Sequence, residues 1–150
     1  MRVFDGIADL ESAVGTHLGY SDWHRVTQEQ IDAFADATGD HQWIHTDPVR
    51  AAAEPFGTTI AHGYLTLSLV PVMLDQVFAL DGMRMQVNYG GDGLRFPSVV
   101  PVGSRIRAGV ELLAVKPVAL GHQVRVRVTV ERDGGEKPVC VIEILRVAAP

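Results

Sequence analysis

The feature that most limits the possible folds of this chain is an apolar stretch over residues 64–80, in which polar side chains are few. Apolar residues on all sides of a helical pattern indicate a helix buried on nearly every side. A membrane span is the rival interpretation. It is disfavoured because Pro71 lies inside the stretch, Asp75 would be stranded in lipid, and the run between His62 and Asp75 is too short. The sequence therefore predicts a long, buried, central helix, which Pro71 is expected to kink or loosen.

The chain after this stretch has the pattern of β-strands. Four segments rich in apolar and β-branched residues are bounded by Gly, Pro or Asp, and they cover residues 83–89, 105–113, 123–131 and 139–147. In the third segment Val alternates with Arg or Thr, which is typical of an antiparallel strand with one buried face. Residues 132–136 are predicted to form a hairpin turn, and the glycine-rich residues 90–93 a turn or bulge rather than a phosphate loop.

A long apolar helix followed by half-polar strands predicts an α+β fold in which a curled antiparallel β-sheet wraps the helix. No repeat, low-complexity tract or linker interrupts the sequence, so residues 1–150 are expected to form a single domain. The shorter elements come first. They are a helical or irregular lead-in over residues 5–18, a strand over 20–26, a helix over 28–37 and a brief helix over 49–54. Thr27 and Gln30 fit a capping box, and Gly39 is expected to end the helix.

A candidate reactive segment follows that helix at residues 38–48, where Gly, Asp and Pro argue against any regular element. Asp40 and His45 are a carboxylate and an imidazole, which can exchange a proton or share a water molecule near neutral pH. The alternative is that both residues only cap the helix and turn the chain. The sequence alone leaves these two interpretations open.

Composition excludes some classes of protein. A net charge of −5 argues against a nucleic-acid binder, and an apolar fraction of 47% is ordinary for a globular domain. The amino terminus lacks the features of a secretory signal, and we expect a soluble, cytoplasmic protein without membrane contact. The single cysteine, Cys140, lies in an apolar segment and is expected to be a buried, inert thiol.

Several short motifs follow one another in a fixed order. They read Gly-Asp-His-Gln-Trp-Ile-His at 39–45, Phe-Gly-Thr-Thr-Ile-Ala-His-Gly-Tyr at 56–64, Val-Asn-Tyr-Gly at 87–90, Arg-Phe-Pro at 95–97 and Val-Gly-Ser at 102–104. Together they resemble the MaoC-like dehydratases, a hotdog-fold family that contains the (R)-specific enoyl-CoA hydratases. The resemblance covers residues 20–147. Gln42 and Trp43 stand where the commoner hydratase pattern has Asn-Pro. This replacement resembles a bacterial subgroup that includes NodN-like proteins and some actinobacterial hydratases, and it bears on the shape of the acyl pocket.

This resemblance implies a hydro-lyase that reversibly adds water to trans-2-enoyl-CoA and forms (R)-3-hydroxyacyl-CoA, with no cofactor. It implies a homodimer whose acyl-CoA substrate enters at the interface, where both subunits complete the site. Asp40 and His45 would hold the attacking water, and the N–H of Gly63 would bind the thioester oxygen. Chemistry agrees, because N–H groups at a helix start stabilise the negative charge that hydration places on that oxygen. We prefer His45 as base and Asp40 as acid or orienting group.

Five further residues are assigned to substrate binding: Trp43, His62, Tyr64, Asn88 and Arg95. Three of them have a simpler alternative, since Trp43 could line the core, His62 could pack at the helix start, and Arg95 could decorate the surface. At the level of function, the alternatives are a hotdog acyl-CoA thioesterase and a non-catalytic acyl-CoA-binding subunit. A zinc site built from Asp40, His41, His45 and His62 is disfavoured because Gly39 and Pro48 oppose the helix it needs.

Overall fold

The computed structural model describes residues 1–150 and places most of its helices in the first half of the chain and its long strands in the second. In chain order the elements are β1 (Arg2–Phe4), α1 (Gly6–Ser12), β2 (His17–Tyr20), β3 (His24–Arg25), α2 (Gln28–Thr38), α3 (Trp43–Thr46), α4 (Pro48–Ala52), α5 (Gly63–Val77), β4 (Phe78–Leu80), β5 (Met85–Arg95), β6 (Arg105–Val118), β7 (Gly121–Arg132) and β8 (Cys140–Ala149).

The main sheet has six strands, in the order β2-β6-β7-β8-β5, with β3 also paired to β6. All of its pairings are antiparallel, and β5 lies at a free edge. The inner face of the sheet packs on α5, which contributes Leu65, Val70 and Leu74 to a core of 28 buried residues. The predicted arrangement, a central helix wrapped by an antiparallel sheet, is confirmed.

The predicted alternation in the third strand segment is also confirmed. Four valines of β7 face the helix and are buried: Val124, Val126, Val128 and Val130. On the outer face Arg125 and Arg127 form ion pairs with Glu143 of β8. Cys140 is buried as expected, and burial raises the pKa of its thiol to about 11, so the reactive thiolate is disfavoured at neutral pH.

The boundaries of the central helix differ from the prediction at its far end. The helix ends at Val77, and residues 78–80 form the short strand β4, which pairs in parallel with β1. The prediction of a helix over residues 64–80 was therefore wrong for the last three residues. A short apolar segment fits a buried helix and a buried strand equally well, and the pairing with β1 comes from the distant amino terminus. Pro71 lies inside the helix without ending it.

The central helix is also less covered than predicted. One of its sides is open to solvent in the single chain, where Tyr64 is 65% exposed and Val72 is 61% exposed. Ser68 and Asp75 are exposed on the same side. Apolar side chains that face outward explain why the helix reads as hydrophobic all round. No helix of the protein is both long enough and apolar enough to cross a membrane.

The predicted turn signals agree with the structure with one exception. Thr27 caps α2 by accepting a hydrogen bond from the N–H of Gln30 at 3.2 Å, and Gly39 ends the helix with a φ of 82°. The Gln30 side chain, however, bonds to His24 at 2.9 Å, so the second half of the capping box is absent. The glycine-rich residues 90–93 lie within β5, whose register with β8 shifts at two bulges.

Candidate active site

Asp40 and His45 lie in a segment that is more ordered than its composition indicates. The prediction of an irregular segment was wrong for residues 43–46, which form the single helical turn α3. Two local hydrogen bonds stabilise the turn: the Asp40 carboxylate accepts from the N–H of Gln42 at 3.3 Å, and the Thr46 hydroxyl donates to the carbonyl of His41 at 3.2 Å. The bond from Gln42 to Asp40 is of the Asx-turn type, which favours a turn of the backbone at this point.

The His45 side chain is buried, with 7% of its surface exposed. Its Nδ1 lies 2.7 Å from the carbonyl oxygen of Ile60. Because a carbonyl oxygen only accepts, Nδ1 carries the hydrogen and the Nε2 lone pair remains free. Burial lowers the pKa of His45 below its usual 6.5, and this effect outweighs the opposite influence of the Ile60 bond. The imidazole is therefore neutral at pH 7 and has a basic nitrogen available.

Asp40, His45 and His62 come together at one point. Each side chain offers one atom, and these atoms lie within 4.8 Å of one another. The rings of His45 and His62 are stacked, with centroids 3.8 Å apart. Nε2 of His62 donates to the backbone carbonyl of Asp40 at 2.9 Å, while its buried Nδ1 has no partner. His62 thus fixes the backbone of Asp40, whose carboxylate remains exposed.

Gly63 is the first residue of α5, beside this cluster. The carbonyl of His62 accepts from the N–H groups of Leu65 and Thr66, so the helix begins there and leaves the N–H of Gly63 without a helical acceptor. The ring of Phe96 covers the glycine, and a Cβ at Gly63 would lie 2.8 Å from the ring. The N–H of Gly63 is therefore a free donor that the helix dipole supports, and it lies at the end of α5 beside Asp40 and His45.

The other residues predicted to bind substrate lie around this centre rather than in it. Trp43 is half-buried, with the Arg50 guanidinium 4.3 Å from its ring centroid, and the exposed Tyr64 packs edge-on against Phe96. Asn88 lines a groove beside the middle of α5. Arg95 lies at the end of β5, where its guanidinium bonds to the neighbouring carbonyl of Leu94.

Sequence reasoning missed two residues that support His45. The Gln28 side chain donates to the backbone carbonyl of His45 at 2.7 Å and accepts from the Thr59 hydroxyl at 2.5 Å. This bridge ties α2 and the 56–64 motif to α3, and Thr59 is almost fully buried. A buried threonine and a glutamine in the first turn of a helix carry no distinctive sequence signal. Thr59 could have been found only through its place in the motif.

The same cluster has the donor set of a possible metal site, namely one carboxylate and two imidazoles. His41, the fourth residue of the zinc alternative, is not part of it, because its Nε2 bonds to the Asp36 carboxylate at 2.8 Å. His45 and His62 each retain one ring nitrogen without a hydrogen-bond partner. The same geometry would let Asp40 and His45 hold a water molecule between them for acid–base chemistry.

Comparison with known proteins agrees with this architecture. The family model described as "MaoC like domain" matches residues 9–133. The chain is 52% identical over 151 residues to 3-hydroxyacyl-thioester dehydratase Z of Mycobacterium tuberculosis H37Rv, covering 99% of this chain and 100% of that protein. It is 52% identical over 103 residues to nodulation protein N of Rhizobium leguminosarum bv. viciae, covering 67% and 64% of the two chains.

Among solved structures, the (R)-hydratase from A. caviae involved in PHA biosynthesis matches with a TM-score of 0.74 and 26% identity, over 91% of this chain and 96% of that one. The fold is therefore the predicted hotdog fold, with an Asp–His pair placed at the start of the central helix. The family match and the full-length relative make the assignment specific: the chain belongs to the MaoC-like domain family.

Proposed function

We propose that this protein is an (R)-specific enoyl-CoA hydratase, a hydro-lyase that reversibly adds water to trans-2-enoyl-CoA. The observation that carries the proposal is the buried His45, whose Nδ1–H is fixed on Ile60 and whose side chain lies in one cluster with Asp40 and His62. The name of the M. tuberculosis relative, a 3-hydroxyacyl-thioester dehydratase, supports the same reaction in the reverse direction. The A. caviae relative is named as an (R)-hydratase.

In the proposed mechanism a water molecule lies between the Asp40 carboxylate and Nε2 of His45. His45 accepts a proton from this water as the hydroxide oxygen bonds to C3 of the substrate, and Asp40 orients the water. The electrons of the C2=C3 bond move toward the thioester oxygen, where the N–H of Gly63 and the positive end of α5 stabilise the charge. The proton held by the Asp40–His45 pair is then delivered to C2, which restores both side chains and completes the addition.

The substrate-binding residues are assigned by their positions around this centre. Tyr64 and Phe96 lie beside Gly63, and we assign them to the wall of the pocket around the thioester. We assign Asn88, which lines the groove beside α5, to contact with the acyl chain, and Trp43 to the shape of the site beside α3. His62 acts by holding the Asp40 backbone, and Arg95 is assigned to the CoA moiety as an exposed cation.

We further infer that the protein is a homodimer formed through β5 and the uncovered side of α5. The edge strand β5 is 11 residues long and almost fully exposed, and such an edge is a template for strand pairing. The exposed Val72 and Tyr64 of α5 lie on a side that a second copy would cover. Light scattering after gel filtration should give twice the mass of 16.3 kDa, and Val72→Asp should weaken the dimer. The cytoplasmic location stays a prediction, which fractionation of expressing cells can test.

The experiment that tests the activity follows the loss of enoyl absorbance of crotonyl-CoA, with Asp40→Asn and His45→Gln as variants. The handedness of the product is read with a stereospecific dehydrogenase. We expect (R)-3-hydroxybutyryl-CoA from the unmodified protein and loss of activity in both variants. The named dehydratase relatives do not favour the thioesterase alternative or the non-catalytic alternative. Release of free thiol without hydration would support the former, and binding without turnover the latter.

A further inference from the structure

A groove runs along the uncovered side of α5, between that helix and the inner face of β5. It consists of two adjoining cavities of about 370 and 390 Å³, which share Pro71 and Asn88 as lining residues. The half nearer the start of α5 is mainly apolar, and its lining includes Leu67, Ile142 and Ile144. The far half is mixed, because Asp75, Gln86 and Arg146 line it together with the apolar Phe78, Ala79 and Leu80. The groove therefore becomes more polar with distance from Gly63.

Arg146 is the unusual residue at the polar end. It lies on β8 opposite Asn88, faces α5, and is only 8% exposed. Its Nη1 donates to the Asp75 carboxylate at 3.1 Å, and its Nη2 donates to the carbonyl of Pro71 at 3.3 Å. Its Nε–H is buried and has no partner. A buried donor without an acceptor is destabilising. Because Arg146 also lines the far cavity, an oxygen-bearing ligand that enters there is a candidate for the missing acceptor.

The length of the groove sets the size of that ligand. Pro71 and Asp75 are 8 and 12 residues beyond Gly63. At about 1.5 Å per helical residue, the polar end is therefore roughly 12–18 Å from the Gly63 N–H. An extended hydrocarbon chain with bonds of about 1.5 Å advances roughly 1.3 Å per carbon. An acyl group of roughly ten or more carbons, with its thioester at Gly63, thus extends to Arg146, whereas a four-carbon group does not.

We propose that Arg146 binds an uncharged oxygen, a hydroxyl or carbonyl, at the far end of an acyl chain of about ten carbons. This inference rests on the proposed function, since the thioester must lie at Gly63. The ligand is neutral because Asp75 already balances the guanidinium charge. A hydroxyl accepts from the Nε–H of Arg146 and donates to the carboxamide of Asn88, while the apolar half of the groove takes the methylene groups. In the proposed dimer the partner covers this groove.

The test compares two substrates that differ by one atom: the CoA thioesters of trans-2-decenoic acid and of 10-hydroxy-trans-2-decenoic acid. A buried hydrogen bond to a charged donor favours the hydroxylated substrate by roughly tenfold in kcat/KM. Arg146→Met should abolish this preference by lowering kcat/KM for the hydroxylated substrate. Arg146→Lys should also abolish it, because lysine retains the charge beside Asp75 without the Nε–H. The matched control Arg127→Met, on the outer face of the sheet, should leave the preference unchanged.

Crotonyl-CoA separates this inference from the proposed function. Its acyl chain is too short to meet Arg146, so every variant should hydrate it within about twofold of the unmodified rate. Equal kcat/KM for the two ten-carbon substrates in the unmodified protein would overturn the inference. An unchanged preference in a folded Arg146→Met variant would also overturn the inference. A higher kcat/KM of that variant for the unsubstituted substrate alone would do the same, because Arg146 would then only limit the length of the acyl chain. Failure of the unmodified protein to hydrate crotonyl-CoA would instead overturn the proposed function.

Discussion

The proposed role of His45 can be tested with two substitutions that separate its base from its structural hydrogen bond. In His45→Asn the amide nitrogen takes the place of Nδ1 and can still donate to the Ile60 carbonyl, but no basic nitrogen remains. His45→Gln places its amide near the position of Nε2 and leaves the Ile60 carbonyl, which His45 now meets at 2.7 Å, without that donor. The two variants therefore lose the base equally but differ in the fate of a buried acceptor.

The expected magnitudes follow from that difference. Removal of a general base typically costs about 10²–10⁴ in rate, which corresponds to roughly 2.7–5.4 kcal/mol at 1.36 kcal/mol per tenfold. Both variants should lose kcat/KM within this range. In urea unfolding, His45→Gln should lose about 1–3 kcal/mol more stability than His45→Asn, because the unpaired carbonyl is buried. The two losses are measured independently by absorbance assay and by circular dichroism.

A particular result would refute the assignment. If folded His45→Asn retained kcat/KM for crotonyl-CoA within tenfold of the unmodified protein, His45 would not be the base. Asp40→Asn is the matched comparison, since it changes the exposed member of the pair and should leave the free energy of unfolding nearly unaltered. Equal stability of the two His45 variants would show that the Ile60 bond contributes little.

Four further outcomes are expected. Because the pKa of His45 is lowered from 6.5, hydration should persist as pH falls to 6.5 and decline only below it. The burial of neutral His45 likewise contributes stability that is present above pH 6.5 and is lost as pH falls from 6.5 toward the lowered folded-state pKa. A urea midpoint that stays constant as pH falls below 6.5 would contradict this expectation. Gly63→Ala forces the ring of Phe96 aside and should lower kcat/KM by roughly 10–100-fold. The same change should alter the free energy of unfolding by only about 1 kcal/mol. Adding Phe96→Leu should restore kcat/KM. Thr27→Ala removes the cap on Gln30 and should cost about 1 kcal/mol of stability at unchanged kcat/KM, and an unaltered urea midpoint would disprove the contribution of the cap.

Local patterns were sufficient to predict the parts of the fold that depend on local physics. The alternation of Val with Arg or Thr in β7 follows the two-residue period of a strand, and Gly39 adopts the positive φ that ends α2. Residues 78–80 could not be predicted in this way, because their strand depends on the distant β1. The exposed side of α5 was likewise hidden, since an apolar pattern does not distinguish a core contact from an unpartnered surface.

The site shows the same division. The residue types of Asp40 and His45 were sufficient to propose acid–base chemistry as one of two interpretations, and the resemblance to the MaoC-like dehydratases added the role of Gly63 at the helix start. The sequence did not show that His62 would hold the Asp40 backbone, or that Gln28 would hold that of His45. These contacts join residues that are 22 and 17 positions apart. Only the folded chain brings them together, and no local rule specifies such pairs.

The position of Gly63 at the first turn of the core helix links catalysis to global cooperativity. The residues that follow it in α5, including Leu65 and Val70, belong to the hydrophobic core, so the N–H proposed to bind the thioester cannot shift without disturbing that core. An active site on a mobile loop can lose activity by local opening long before the protein unfolds. Here the start of α5 has no such independence, and thermal inactivation should coincide with the main unfolding transition rather than precede it.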